Sequence, residues 1–463
     1  MEQIEVKRKY RRRSAEAATA PEISRFSTAI FILLCIIPVF STIAFGAVDI
    51  WATGILSLFA AGIACLWTAD AWSTGQLRFN PSLLQLPVLG LILIGCIQLL
   101  PFGDSGISSD LLSILPVSSL SLDPYATRFF LVRLIILFVF FAAALTYINS
   151  RGRLQKVVLM VIIFGAAMAF FGILQRLASL EAIYGLRPTP QAIPFGPFVN
   201  QHHFAAFMVM TAGVTLGLLF GDATKKDKKA LLLIAVVLMG IAVILTGSRG
   251  GMISFLCMIG FVLAARFASS NEEAKEPAKL TSKTAFAVGI AILLLTIVVV
   301  IYLGGGEEML RGIGLQQNQA DITSGRLHFW SVGLQIFLAN PILGAGFDAF
   351  GIAFTRFDST NGLYRVEQAH NDYLQMLADA GILGFACVAA FIYLFFKRSR
   401  SVIGGSADAF RRGTAAGASA GCFGILVHSF FDFPLRTPSN TFFFLLLVVL
   451  ATVLISNSKR DVI

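Results

Sequence analysis

Apolar stretches long enough to cross a bilayer recur along the whole chain, and a lipid-spanning backbone must satisfy its own hydrogen bonds, which restricts it to helices or a closed barrel. The runs read as spans at residues 26–45, 50–69, 84–100, 126–147, 155–177, 202–220, 230–246, 251–268, 284–303, 372–396, 410–430 and 438–456. Each is close to the length that a single helix needs to span. The expected fold class is therefore all-α: a polytopic integral membrane protein of about twelve transmembrane helices. With 56% hydrophobic and only 13% charged residues, the chain has more apolar side chains than a water-soluble core can take up.

The expected organisation is a basic, disordered tail at 1–25, nine helices over 26–303, an outer loop at 304–371, three helices over 372–456 and a short tail at 457–463. A secretory signal is the competing reading of the N-terminus, with AFGA at 44–47 as a cleavage site. The apolar run there is long enough to span and a second follows at once, which favours a retained helix. The six cysteines, Cys35, Cys65, Cys96, Cys257, Cys387 and Cys422, all lie in apolar runs without CxxC or Cys/His spacing. They read as small core residues, with neither disulfide nor zinc site expected.

The formal net charge of +10 does not point to nucleic acid, because the charges lie between apolar runs and form no basic face on a soluble fold. They fit the positive-inside rule instead. With the N-terminus in the cytoplasm, Arg78, Arg151, Arg153, Lys156, the KKDKK run at 225–229, Lys275 to Lys283, KRSR at 397–400, Arg411, Arg412, Lys459 and Arg460 fall on one side, together with every lysine. Both termini are then cytoplasmic. The opposite face holds all five histidines, His202, His203, His328, His370 and His428, and the arginines Arg176, Arg187, Arg249, Arg311, Arg326, Arg356, Arg365 and Arg436. Arginine is the preferred bidentate partner of phosphate, and histidine exchanges a proton near neutral pH. Such a face suits a reaction in which a diphosphate leaves while a hydroxyl attacks. No DxD pair or HExxH suggests a metal ion, and neither metal nor other cofactor is expected.

Four patches carry that chemistry, each with a plainer reading beside it. In FGPFVNQHHFAAF, Asn200, His202 and His203 open a helix behind two prolines, and the same residues suit a helix end among headgroups. In LTGSRGG, Arg249 lies in a glycine-bracketed turn, where an arginine at a helix end in lipid needs an anionic partner. In QAHNDYLQMLADAGILG, Asn371 or Asp372 can cap a helix, and Asp372 is near enough in sequence to orient the His370 imidazole. In HSFFDFPLRTPSN, His428, Asp432 and Arg436 share a turn, and Asp432 and Arg436 can form an ion pair of purely structural value. Within the long loop, RLHFWSVGLQIFLANP has Leu327, Trp330, Leu334, Phe337 and Leu338 at helical spacing. It predicts an amphipathic helix on the membrane surface or under an outer cap.

The ordered set FGPFVNQHHFA, LTGSRGG, SGRLHFWSVGLQIFLANPILGAGFDAF, AHNDYLQMLADAGILG and HSFFDFPL resembles the O-antigen ligase and polymerase superfamily of bacterial envelope glycan assembly, over residues 190–440. The resemblance implies a metal-independent inverting glycosyltransferase with an undecaprenyl-pyrophosphate-linked glycan as donor, working on the periplasmic side of the inner membrane. It implies that Arg249 and Arg326 bind the pyrophosphate and that His370 is the base. Asn200, His202, His203, Asn371, Asp372, Asp432 and Arg436 would support them. A polymerase acting on a second lipid-linked repeat is the leading reading; a ligase using a lipid A core is the alternative, and a protein glycan transferase also stays open. Membrane lipids and a chain-length regulator are the other expected partners. A secondary transporter shares the helix number, but no internal repeat is evident and the membrane midplane is nearly uncharged apart from Arg133. A purely structural scaffold would not need five histidines on one side. A single cysteine placed in the 304–371 loop of a cysteine-free chain should react with an impermeant maleimide in spheroplasts; labelling confined to inverted vesicles would reverse the orientation.

Overall fold

The computed structural model describes residues 24–102, 119–178, 182–190, 192–221, 226–273, 326–359 and 366–455. The described residues are almost wholly helical. In chain order the helices are α1 (Arg25–Ile43), α2 (Ile50–Thr74), α3 (Gln85–Gln98), α4 (Pro124–Tyr147), α5 (Arg151–Leu177), α6 (Gln201–Phe220), α7 (Lys226–Leu245), α8 (Arg249–Glu273), α9 (Arg326–Ala339), α10 (Phe350–Phe354), α11 (Asp372–Gly405), α12 (Ala409–His428) and α13 (Pro438–Thr452). One small antiparallel pair, β1 (Ala182–Ile183) and β2 (Arg187–Pro188), follows α5.

Among the described residues eight helices are long and apolar enough to cross a membrane: α1, α2, α4, α5, α6, α7, α8 and α11. Two shorter apolar helices, α3 and α13, accompany them, and α12 matches the run expected at 410–430. The expected span at 284–303 and the expected tail at 457–463 lie outside the described residues, as do all but the last two residues of the tail at 1–25, residues 103–118, and Arg311 and Arg365 of the expected outer loop.

The centre of the bundle is α6, buried from His203 to Leu218. A helix apolar on all sides suits that position. Its neighbours are α5, α7, α8, α12 and α13. Against α12 it presents Gly213, Gly217 and Gly221, facing Gly413, Gly417 and Gly421 at the same four-residue spacing. A Cβ on Gly213 would lie 2.6 Å from the Gly421 nitrogen, one on Gly221 would lie 2.8 Å from Gly413 Cα, and one on Gly217 would collide with the Gly417 backbone. Small residues let two backbones touch where lipid supplies no hydrophobic drive for association. The helices run antiparallel, so this contact brings the start of α6 level with the end of α12.

The basic ends gather at the other end of the bundle. Asp70, fully buried, accepts from Tyr147 Oη at 2.8 Å and from the Ser24 hydroxyl, with Arg78 at 3.9 Å. Arg411 caps α13 by donating to the carbonyls of Leu450 at 2.8 Å and Val453 at 2.6 Å. Arg133 departs from the expectation of a midplane charge. Its guanidinium reaches to the Val48 carbonyl in the turn between α1 and α2, at 3.5 Å, as long basic side chains do in lipid.

Two features of the second half differ from the smooth helix-loop-helix pattern. α11 is broken at Gly381 (φ 61°, ψ −162°), and a side chain there would collide with the Ile342 carbonyl. The opened backbone takes in the segment after α9: Ile382 donates to Pro341 O at 2.8 Å and Ala345 donates to Ala378 O at 2.8 Å. Helix α9 itself forms over Arg326–Ala339, inside the long loop. Its buried side is Val332, Gly333 and Ile336, whereas Leu327, Leu334 and Leu338 are exposed. The expected apolar stripe is thus the outward face, and a second, shorter one holds the helix to α11 and α10.

Replacing Gly217 by Ala should cost about 1–3 kcal/mol of stability through overpacking against α12, whereas Gly260→Ala, with no atom within 4 Å of the new Cβ, should be neutral or stabilising. Thermal unfolding of both variants in detergent checks this; equal melting temperatures would refute the close contact.

Candidate active site

The histidine-rich end is assembled from five helix termini and one turn. Pro194 precedes, and Pro197 lies within, a tight link in which Phe195 and Phe198 pair, and Gly196 takes φ +55° to pass Phe204. Asn200 then caps α6 by accepting from His202 N at 2.8 Å. His202 and His203 follow on the first turn and point different ways. His203 is buried, with Nδ1 2.7 Å from Thr437 Oγ1 and its ring edge-on to Phe433 at 4.9 Å. His202 borders an open cavity.

The SRGG sequence builds the start of α8. Ser248 Oγ accepts from Gly251 N at 3.1 Å. The glycines are set by packing: a Cβ on Gly250 would lie 2.9 Å from Phe431 Cβ, and one on Gly251 2.7 Å from Ala205 Cβ. This brings the positive end of α8 to the same cavity. Arg249 is its first residue, and its side chain is exposed toward the cavity rather than buried at a helix end in lipid.

His370 lies just before α11. Asn371 is the cap, accepting from Tyr373 N at 3.0 Å and Leu374 N at 3.1 Å. His370 takes φ 51°, left-handed backbone that costs a non-glycine residue on the order of 1–2 kcal/mol. Neighbouring bonds hold it there: Ala369 N donates to Gln375 Oε1 at 2.5 Å, and Asp372 N donates to Ser429 O at 2.9 Å.

The carboxylate that orients the imidazole is Asp432. Its Oδ1 is 3.1 Å from His370 Nδ1 and also accepts from Phe433 N at 2.9 Å. Asp372, the neighbour expected in that role, instead accepts from Ser429 Oγ at 2.8 Å and Leu435 N at 3.3 Å. The expected Asp432–Arg436 pair does not form either. Arg436 bonds Asp348 at 3.0 Å and also Asp379, and it covers the Phe130 ring at 5.1 Å. Burial acts against the Arg436 charge, but the Asp379 and Asp348 carboxylates outweigh it and hold the pKa above the ordinary arginine value. Burial likewise acts to raise Asp432. The bond from His370 and the nearby His203 and His202 imidazoles prevail and hold its carboxyl below the usual range.

The cavity measures about 340 Å³ and is lined by His202, Ser248, Arg249, Arg326, Trp330, His428 and Asp432, among others. Trp330 is fixed by donating Nε1 to Ala369 O at 3.0 Å, so α9 carries Arg326 to this place. Two arginines and a helix N-terminus make a strong anion site. Beside it, His370 uses Nδ1 on Asp432, leaving Nε2 as the proton-accepting nitrogen of the neutral ring. His370 is partly open, with 32% of its side chain exposed. Such a pair can remove a proton from a hydroxyl. Among the described residues no group of three His, Cys, Asp or Glu side chains is arranged to hold a metal ion.

The structure thus gathers His202, Arg249, Arg326 and Asp432 around one cavity, with His370 held against it through Asp432. Arg436 and His203 lie on the far side of that turn. Asn200, Asn371 and Asp372 cap and tie helix ends. His328 stands apart, paired with Asp358 at 2.9 Å. Sequence reasoning places His428 in the HSFFDFPL patch and Trp330 in the α9 stripe without giving either a role at the site, and Asp348 and Asp379 carry no chemical motif that would single them out.

With its folded pKa depressed below the unfolded one, Asp432 contributes stability that is complete above about pH 4, the ordinary carboxylate value, and lost as pH falls through the folded pKa. Asp432→Asn should therefore lower the melting temperature by a constant amount from neutral pH down to about pH 4, with the gap closing only in stronger acid. A gap that closes near neutrality would contradict the depressed carboxyl.

Comparison with curated proteins finds no match. Residues 234–389, about a third of the chain, match the family model described as O-antigen ligase. The matched segment includes Arg249, Arg326 and His370 and stops short of Asp432. Residues 234–389 are thus similar to an O-antigen ligase domain, consistent with the O-antigen ligase and polymerase superfamily that the chain resembles in sequence.

Proposed function

We propose that the protein is a metal-independent, inverting glycan polymerase that transfers a growing undecaprenyl-pyrophosphate-linked chain onto the non-reducing sugar of another lipid-linked repeat, on the periplasmic face of a bacterial inner membrane. The observation that carries this reading is the pairing of His370 with Asp432, whose carboxylate also lines the cavity of Arg249 and Arg326. In that arrangement His370 Nε2 takes the proton of the acceptor hydroxyl. The oxygen bonds to the anomeric carbon of the donor from the face opposite its diphosphate. The bond from anomeric carbon to diphosphate oxygen breaks, and undecaprenyl diphosphate leaves with the electron pair. Arg249, Arg326 and the positive end of α8 stabilise the charge that develops on it. Asp432 stays ionised and stabilises the imidazolium, which returns its proton to water.

A second reading has an observation in its favour. The family description over residues 234–389 is that of a ligase, and the same donor chemistry serves a lipid A core acceptor. Offering the purified protein a donor together with either a lipid-linked repeat or a lipid A core distinguishes the two, according to which acceptor gains mass.

His370→Ala should lower transfer by about 10²–10⁴-fold, the usual worth of a general base, and Arg249→Ala or Arg326→Ala by about 10²–10³-fold, all without loss of folded protein. Wild-type transfer should continue in excess chelator. Wild-type rates in both His370→Ala and Arg249→Ala would refute the assignment, and abolition by chelator would refute metal independence.

A further inference from the structure

A second cavity, of about 330 Å³, lies on the other side of the same turn. Its length is apolar, walled by Leu91 of α3, Leu134 and Leu137 of α4, Val388 and Ile392 of α11 and Leu445 of α13. Its outer end is polar, formed by Arg133, Asp348, Gln368 and Arg436 with His203. Arg436 and Asp348 satisfy each other. Arg133 makes no ion pair among the described residues: it has the 3.5 Å bond to Val48 O and a place over the Phe129 ring at 4.9 Å, and its buried Nε has no hydrogen-bond partner. Gln368 Oε1 is likewise buried without a partner. An arginine on a membrane-spanning helix is costly unless it meets an anion or water. Here it stands over an apolar chamber that runs about 10 Å along α4 from Phe130 to Leu137, at 1.5 Å per residue.

The two cavities share a wall one residue thick. His202 lines the first and His203 the second; Asp432 lines the first and Phe433 the second. The His370 ring touches both sides of this wall, bonded to Asp432 and edge-on to Phe433 at 4.9 Å.

We propose that this cavity is a second lipid site, which takes the head-proximal end of a single-chain polyisoprenoid phosphate with the phosphate on Arg133. Resting on the polymerase reading, the occupant is the acceptor lipid. Its sugars would then meet the donor at His370 from the side opposite Arg249. A chamber of this volume, with Arg133 as the one arginine of its polar end outside the Arg436–Asp348 ion pair, fits one prenyl chain better than the several acyl chains of a lipid A core.

The test uses the full-length protein in lipid nanodiscs and a diazirine-tagged farnesyl diphosphate, with crosslinks mapped by mass spectrometry. Adducts are expected on α3, α4 and α11 around the chamber. Arg133→Gln and the chamber-filling Leu137→Trp should each reduce these adducts about tenfold, as loss of a charge-assisted contact does, while Arg249→Ala leaves them unchanged. Excess undecaprenyl phosphate should compete and excess phosphatidylglycerol should not. Absence of these adducts from the wild-type protein, adducts insensitive to both chamber variants, or equal competition by phosphatidylglycerol would overturn the second site. None of these readouts requires sugar transfer, so failure here is separable from failure of the polymerase reading, which is judged by chain extension.

Discussion

The contact between the glycine faces of α6 and α12 is the constraint on which the rest of the histidine-rich end depends. Gly213, Gly217 and Gly221 meet Gly413, Gly417 and Gly421 backbone to backbone, and no side chain can be inserted without prising the helices apart. Because the two run antiparallel, closeness at their middles fixes the heights of His203 at one terminus and His428 at the other. Gly250 and Gly251 extend the same device to α8, whose start rests on Phe431 and Ala205. Three helix ends are thus held in close contact before any polar group is considered. The precision that a base and a diphosphate site require of each other then follows from packing, which lipid does not weaken.

Upon that frame the turn between α12 and α13 sorts the buried charges into two separate systems. Asp432 faces the imidazole of His370 and the first cavity, while Arg436, four residues later, faces Asp348 and Asp379 and the second. A buried charge without a partner is strongly destabilising, whereas a matched one is close to neutral. Each system therefore has its own reason to keep its members in place. The separation leaves Asp432 committed to His370, so that a local strain of φ 51° at His370 is held by a carboxylate and two backbone bonds instead of relaxing into the helix that follows.

Much of this was legible in the sequence, for physical reasons that can be named. Lipid forbids most exposed polar groups, so the few that remain advertise themselves, and the grouping of Arg249, Arg326, His202, His370 and Asp432 at one end follows from counting helices between them. What sequence distance concealed was partnership. Asp372 is two residues from His370 and Asp432 is sixty-two away, yet the helix cap turns Asp372 toward Ser429 and leaves the ring to Asp432. Asp432 and Arg436 look like an ion pair at one-turn spacing, but a 3₁₀ turn at Pro434–Arg436 sends them to opposite sides. Asp379 gave no sign at all, since one acid in an apolar run resembles noise until the break at Gly381 opens the backbone beside it. The amphipathic helix α9 was visible as a period, although the face that is buried proved to be Val332, Gly333 and Ile336 rather than the leucine stripe.

The central claim is that the diphosphate occupies the first cavity with the base beside it, His370 being held against the cavity through Asp432. A cryo-EM structure with undecaprenyl diphosphate bound tests it most directly. The account predicts the diphosphate between Arg249 and Arg326 at the start of α8, with His370 Nε2 facing the site of the departed sugar. Density that leaves Arg249 and Arg326 uncontacted, or a His370 ring turned away from Asp432 in the bound state, would contradict it.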